Sequence, residues 1–350
     1  MGDDSWRAMP KRMSQETQTL VAGQLGRLFV AQSHPFAVVL HGGEPLLLGA
    51  GRLQGLFEAL RVELPTSCPI SIQTNAVLIT EQVLDLCALF NVSLSVSLDG
   101  PASVHDKHRV DVHGRASHVR VVEGLSRLQH HPKADDLFSG VLAVVDPTSD
   151  PSEVYSYFKT LGVPSVDFLY RDGNRTVLPF GKASTESAEY GRWMSAILDR
   201  YVVDPDPPRI RLLDDMFRLI LGGAGVKEGI GLTDFGIVVV DTDGSFTKND
   251  TLKSTPLGDR FNASWTAHRD ELSEVVISPE FLEYHALQQP GSSICRACPE
   301  LGVCGGGMLT HRFDIAHGYD NPTVFCADQK WLIQRARKYL ETVLARRAAA

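Results

Sequence analysis

After Ser14, apolar residues at Val21, Leu25, Leu28 and Phe29 recur at the spacing of one helical face. The run Phe36 to Leu40 that follows has the length and continuity of a buried parallel strand. The alternation then repeats. Leu53, Leu56, Phe57 and Leu60 stripe a second helix, Pro69 to Gln73 reads as a strand, and Thr80 caps a helix that turns Val83, Cys87 and Phe90 inward. Strands are expected over 92–97, 140–145 and 165–170, with helices near 119–130 and 152–161 between them. Helices alternating with apolar strands at this interval predict a parallel sheet built from helical crossovers.

In such a sheet the polar residues just past each strand's C-terminal end converge on one face, where barrel folds place their ligands. Three motifs fall there: His41-Gly42-Gly43-Glu44 after the first strand, Thr74-Asn75 after the second, and Asp99-Gly100 after the third. Any one of them alone reads as a tight turn. Three at successive strand ends argue for a shared site.

The second half is less regular. Helices are expected near 184–203, with Trp193, Ile197, Leu198 and Tyr201 on the apolar side, and over 210–221. Phe235 to Lys248 alternates as a hairpin with Asp243-Gly244 as its turn pair. Asp241-x-Asp243-Gly244 lacks the further acidic residues of a calcium loop at the required spacing.

At 350 residues, 43% hydrophobic and 22% charged, the chain is ordinary globular material, long enough for a large domain and a smaller one. A net charge of -8 gives no reason to expect a nucleic-acid partner, because phosphate binding needs clustered Lys and Arg. The acidic opening and the absence of a long apolar stretch predict a cytoplasmic protein with no membrane partner. Cys295, Cys298, Cys304 and Cys326 follow the spacing C-x2-C-x5-C-x21-C, which in a reducing compartment points to metal rather than disulfides. Geometry alone makes tetrahedral zinc the default for four thiolates. Cys68 and Cys87 sit in apolar surroundings as core residues.

The cysteine spacing resembles one auxiliary iron-sulfur site of the SPASM type. With HGGEP (41–45), SIQTN (71–75) and SVSLDG (95–100), it makes the chain similar to radical S-adenosylmethionine peptide maturases, closest in pattern to the FxsB type. The resemblance runs from Ser5-Trp6-Arg7 and Met13-Ser14 through Thr242-Asp243-Gly244 to Tyr319-Asp320-Asn321-Pro322. It implies that Gly42, Gly43, Glu44, Asn75, Ser97, Asp99 and Arg109 hold S-adenosylmethionine, and that Cys295, Cys298, Cys304 and Cys326 hold one auxiliary 4Fe-4S cluster. Asn249 and Met308 occupy two cysteine positions of a further SPASM cluster, which is therefore expected to be empty. Asp250 stands where sulfatase-maturing relatives carry a proton-accepting Asp, and as a plain alternative it is a turn residue. Gly305, Gly306 and Gly307 either let amides approach the cluster sulfurs or form a flexible turn. His105, Asp106 and Arg109 are read as a cofactor loop, and the neighbouring histidines as surface residues. Ala76 stands where relatives often have Gly.

The family's C-x3-C-x2-C motif, which binds the cofactor-cleaving cluster, is absent. The expected fold is α/β: a partial (β/α)6 radical SAM barrel lacking its first strand, followed by a C-terminal SPASM-type domain. The expected divisions are a barrel over 1–180, connecting helices over 181–234, the auxiliary cluster domain over 235–330 and a terminal helix over 331–350. Either Met1 is an internal methionine taken for the start, in which case the radical SAM 4Fe-4S cluster returns with the restored N-terminus, or the cluster has been lost. The expected activity is oxidation or cross-linking of a ribosomally made precursor peptide, with flavodoxin or ferredoxin as reducing partner. A non-catalytic peptide-binding scaffold is the alternative.

Overall fold

The computed structural model describes residues 5–256 and 258–348. Ser14 starts the first helix, α1 (Gln15–Gln32), by accepting the Thr17 N–H at its hydroxyl at 3.0 Å, a cap worth about 1 kcal/mol. Strands and helices then alternate in chain order: β1 (Val38–Leu40), α2 (Ala50–Glu63), β2 (Ile70–Thr74), α3 (Glu81–Phe90), β3 (Val92–Ser97), α4 (His118–His130), β4 (Phe138–Val144), α5 (Pro151–Leu161), β5 (Ser165–Leu169), α6 (Glu189–Tyr201), β6 (Arg209–Ile210) and α7 (Arg211–Ile220). The six strands form one parallel sheet in the order β1 to β6. The five strands expected from sequence are all present. The sixth, β6, was not foreseen, because two residues running straight into a helix leave no period to read.

The sheet's core is continuous. Ile70, Ile72, Leu94, Val96, Val141 and Val166 are all at most 1% exposed, and Leu53, Phe57, Leu84, Leu125 and Phe158 pack over them from the helices. Cys68 and Cys87 are buried there as expected. Beyond the sheet, β7 (Val239–Val240) and β8 (Phe246–Thr247) pair antiparallel around a turn in which Gly244 takes φ 87°. The hairpin is as expected, with a shorter ladder.

A second core gathers Phe246, Leu252, Phe261, Val275, Phe281 and Tyr284, and α1 closes it with Val21 and Leu28. Gln24 of α1 is buried between them, donating to the carbonyls of Ala267 and Asp270 and accepting from Leu272 N at 2.9 Å. The last helix, α8 (Cys326–Ala348), begins at Cys326 rather than at 331 and sends Leu332, Ile333 and Ala336 into the sheet's core beside α6 and α7. The four-cysteine region is thereby anchored to the sheet's core. No helix among the described residues is long and apolar enough to cross a membrane.

Candidate functional site

Glu44 ends the turn after β1, and its carboxylate ties that turn to the neighbouring strand. It accepts from Leu46 N at 3.0 Å, Thr74 Oγ1 at 2.8 Å and Asn75 N at 2.9 Å. Gly42 takes φ 51°, and a Cβ built on Gly42 or Gly43 meets nothing within 4 Å, so this backbone faces open space. The Asn75 side chain accepts from Val77 N and shapes the turn beyond β2. From β2, Gln73 Nε2 donates to Ser97 Oγ of β3 at 2.8 Å. Each strand end is thus bonded to the next.

Asp99 lies one turn further along this mouth, 6% exposed. Its Oδ1 accepts from Val144 N at 2.9 Å, joining β3's end to β4's. Arg109 holds both Asp99 oxygens, so this guanidinium presents only its remaining face to a ligand. His105 is fully buried between them. Its Nδ1 accepts the Asp99 N–H, which places the ring proton on Nε2, facing Ser117 Oγ at 3.0 Å; Ser117 in turn donates to Arg109 O at 2.7 Å. Burial, reinforced by the charge of Arg109 and opposed by that of Asp99, pushes the His105 pKa down to about 4. The loop is thus locked by a neutral imidazole. Not every neighbouring histidine is a surface residue: His131 is 7% exposed and faces Asp85, and His118 bonds Tyr157 at 2.7 Å.

Cys295, Cys298, Cys304 and Cys326 line one cavity, with Gly306, Thr323 and Lys330 among the other walls. All four are free thiols. Desolvation raises the pKa of Cys295 and Cys326, and pushes that of Cys304 up to about 12. Within the glycine run, the Gly306 N–H partly offsets that burial at the Cys304 sulfur. All three glycines have positive φ, and a Cβ on Gly305 would lie 1.7 Å from Gly231 O, so this turn is packed rather than flexible. Among the described residues no three His, Cys, Asp or Glu side chains close tightly enough to hold a single metal ion.

Asn249 is buried, donating from Nδ2 to Glu228 at 2.9 Å and from its backbone to Tyr284 OH. Met308 packs beside Gly229. Asp250 is exposed at the start of the short helix Asp250–Ser254, not enclosed in a pocket. Its neighbours Glu228 and Asp172 have raised pKa values, both from desolvation first; the Asp250 charge adds to the shift of each, and Lys227 opposes that of Glu228. Asp172 is itself exposed. No motif flags either acid, because each acts through a loop that meets Asp250 only in three dimensions.

No protein-family model matches the chain. An uncharacterized protein of Synechocystis is 26% identical over 297 residues, covering 79% of this chain and 72% of that protein. A cysteine-type anaerobic sulfatase-maturating enzyme of Clostridium perfringens is 26% identical over 280 residues, covering 76% and 72%. The structure of native anSMEcpe with bound AdoMet and Kp18Cys peptide superposes with a TM-score of 0.79 at 21% identity, covering 95% of this chain and 90% of that one. The fold is that of anSMEcpe. The proteins this chain is similar to thus include a sulfatase-maturating enzyme, and the protein whose fold it shares was solved with AdoMet and a peptide.

Proposed function

We propose that this chain is a radical S-adenosylmethionine enzyme that modifies a peptide, of the FxsB type, with the parallel sheet as a partial (β/α)6 barrel and a SPASM-type site behind it. The observation that carries this reading is the bonded succession of strand ends: Glu44 to Thr74 and Asn75, Gln73 to Ser97, and Asp99 to Val144 and Arg109. The open face over Gly42 and Gly43 fits the cofactor's amino group beside the Glu44 carboxylate. Ser97 and Asp99 lie along the same edge, and Arg109 offers its free face to the cofactor's carboxylate. When bound and reduced by one electron at its sulfonium, S-adenosylmethionine supplies hydrogen-atom abstraction from a C–H bond. The four cysteines fit one auxiliary 4Fe-4S cluster by donor type and by lining one cavity together.

Asp250 faces solvent beside Glu228 and Asp172, where a substrate proton would be accepted and passed to bulk water. The 350 residues hold no C-x3-C-x2-C, so cofactor cleavage requires a reducing cluster supplied in addition, together with a flavodoxin or ferredoxin as electron donor.

The reading is tested with anaerobically reconstituted chain, by titration calorimetry with S-adenosylmethionine and by iron and sulfide analysis. Micromolar binding that Glu44→Gln weakens at least tenfold, with about four irons per chain, is the expected result. Absence of both binding and iron defeats it. Binding and iron without cofactor cleavage, even with the C-x3-C-x2-C segment supplied, favours the peptide-binding scaffold.

A further inference from the structure

Arg312 ends the short helix Leu309–Arg312 and is 1% exposed, among the largest fully buried side chains of the protein. Guanidinium stays charged under all ordinary conditions, and an uncompensated buried charge is strongly destabilising. Its Nη2 donates to two carbonyls, Leu287 O at 2.8 Å and Gln288 O at 2.7 Å, but its Nε has no partner. Among the described residues no carboxylate forms an ion pair with it. It stands behind the wall of the four-cysteine cavity: its carbonyl accepts from Asn321 Nδ2 at 3.1 Å, next to the wall residues Pro322 and Thr323.

A cation also lines the cavity itself. Lys330 lines it one helical turn beyond Cys326 and likewise has no carboxylate partner among the described residues. Glu300, on the same wall, is committed to Arg337 at 2.9 Å. Arg312 and Lys330 thus lack the carboxylates that would ordinarily neutralise them.

We propose that Arg312 and Lys330 are the counter-charges of a group bound through four thiolates, and that they hold the cluster's reduction potential up by stabilising its more negative, reduced form. The inference rests on the iron-sulfur reading of the cysteine site. Cluster potentials respond to net charge and to nearby dipoles and solvent. Neither residue ligates the group; both position charge around it. The two positive charges match the net charge of a 4Fe-4S core of two positive charges held by four thiolates.

The test uses full-length chain, reconstituted anaerobically, as wild type, Arg312→Met, Arg312→Lys and Lys330→Met. Iron and sulfide content and the midpoint potential by spectroelectrochemistry are read for each. With about four irons retained, Arg312→Met and Lys330→Met are expected to lower the reduced-to-oxidised ratio at a fixed poise at least tenfold, equivalent to about 59 mV for a one-electron couple. Arg312→Lys keeps the wild-type potential. Should Arg312→Met fail to fold, Lys330→Met decides alone, because Lys330 is exposed and its loss leaves packing intact. Iron-loaded variants with unchanged potentials overturn the inference and leave the cysteine-site reading standing. A wild-type chain that takes up no iron overturns both.

Discussion

Arg109 grips Asp99 through two parallel bonds, Nε to Oδ2 at 2.6 Å and Nη2 to Oδ1 at 2.9 Å. The planar fork matches the two carboxylate oxygens and fixes Asp99 at the sheet's mouth, where its Oδ1 also takes the Val144 N–H. Two sequence candidates for cofactor binding are therefore a single preformed unit.

Replacing Arg109 by Ala leaves Asp99, 6% exposed, with an unpaired charge. Because the Arg109 side chain is itself 30% exposed, solvent relieves part of that penalty. A loss of about 2 kcal/mol in urea unfolding is expected, with at least a tenfold weaker affinity for S-adenosylmethionine in calorimetry. Arg109→Lys restores the charge but not the fork, so it recovers less than half of the lost affinity. Full recovery by Lys would show that the fork is irrelevant.

His105 makes the loop acid-sensitive. The unfolded imidazole takes up a proton below about 6.5, whereas the folded one resists until about 4. Between these values the unfolded chain binds more protons, so stability falls as pH drops through the window, by at most roughly 3 kcal/mol. His105→Gln should flatten the pH dependence of the unfolding midpoint between pH 6.5 and 4. An unchanged slope in that variant would remove His105 from the explanation.

Cys304 gives the opposite sign. Its thiol ordinarily ionises near 9 but in the metal-free fold only near 12. Above pH 9 the unfolded chain loses this proton first, so metal-free protein loses stability as pH rises. Cluster loading requires thiolates and accelerates over the same range. Mass-resolved alkylation with iodoacetamide at pH 8 is expected to label Cys304 at least tenfold more slowly in folded metal-free chain than in urea.

Ala76 adopts φ 63°, and its carbonyl would lie 1.9 Å from a Cβ added at Gly124 of α4. Left-handed backbone costs a non-glycine residue about 1–2 kcal/mol. Ala76→Gly removes that strain but loses a buried methyl worth about 0.8 kcal/mol and adds unfolded-chain entropy of similar size. The terms nearly cancel, and a stability change under about 1 kcal/mol is expected. Gly124→Ala has no such offset and is expected to cost about 3 kcal/mol by thermal or urea unfolding. A benign Gly124→Ala would show that α4 does not pack this tightly on the β2 turn.

Much of the site was legible because its parts are local. The turns after β1, β2 and β3 are each short and glycine- or Asx-marked, and the four-cysteine spacing needs no fold to be seen. Glu228, Asp172 and Gln73 were not legible, since each acts across a gap of sequence that only packing closes. The exposure of Asp250 was not legible either, because a loop residue's exposure depends on what the rest of the chain places over it.

The order of helices and strands, and hence which strand ends share a face, follows from hydrophobic period alone: burial on both sheet faces demands continuous apolar strands and striped helices. What folding alone decided is charge placement. The pairing of Arg109 with Asp99, the neutral state of His105 and the burial of Arg312 behind the four-cysteine cavity depend on dielectric and on distances between segments far apart in the chain, which no linear pattern encodes.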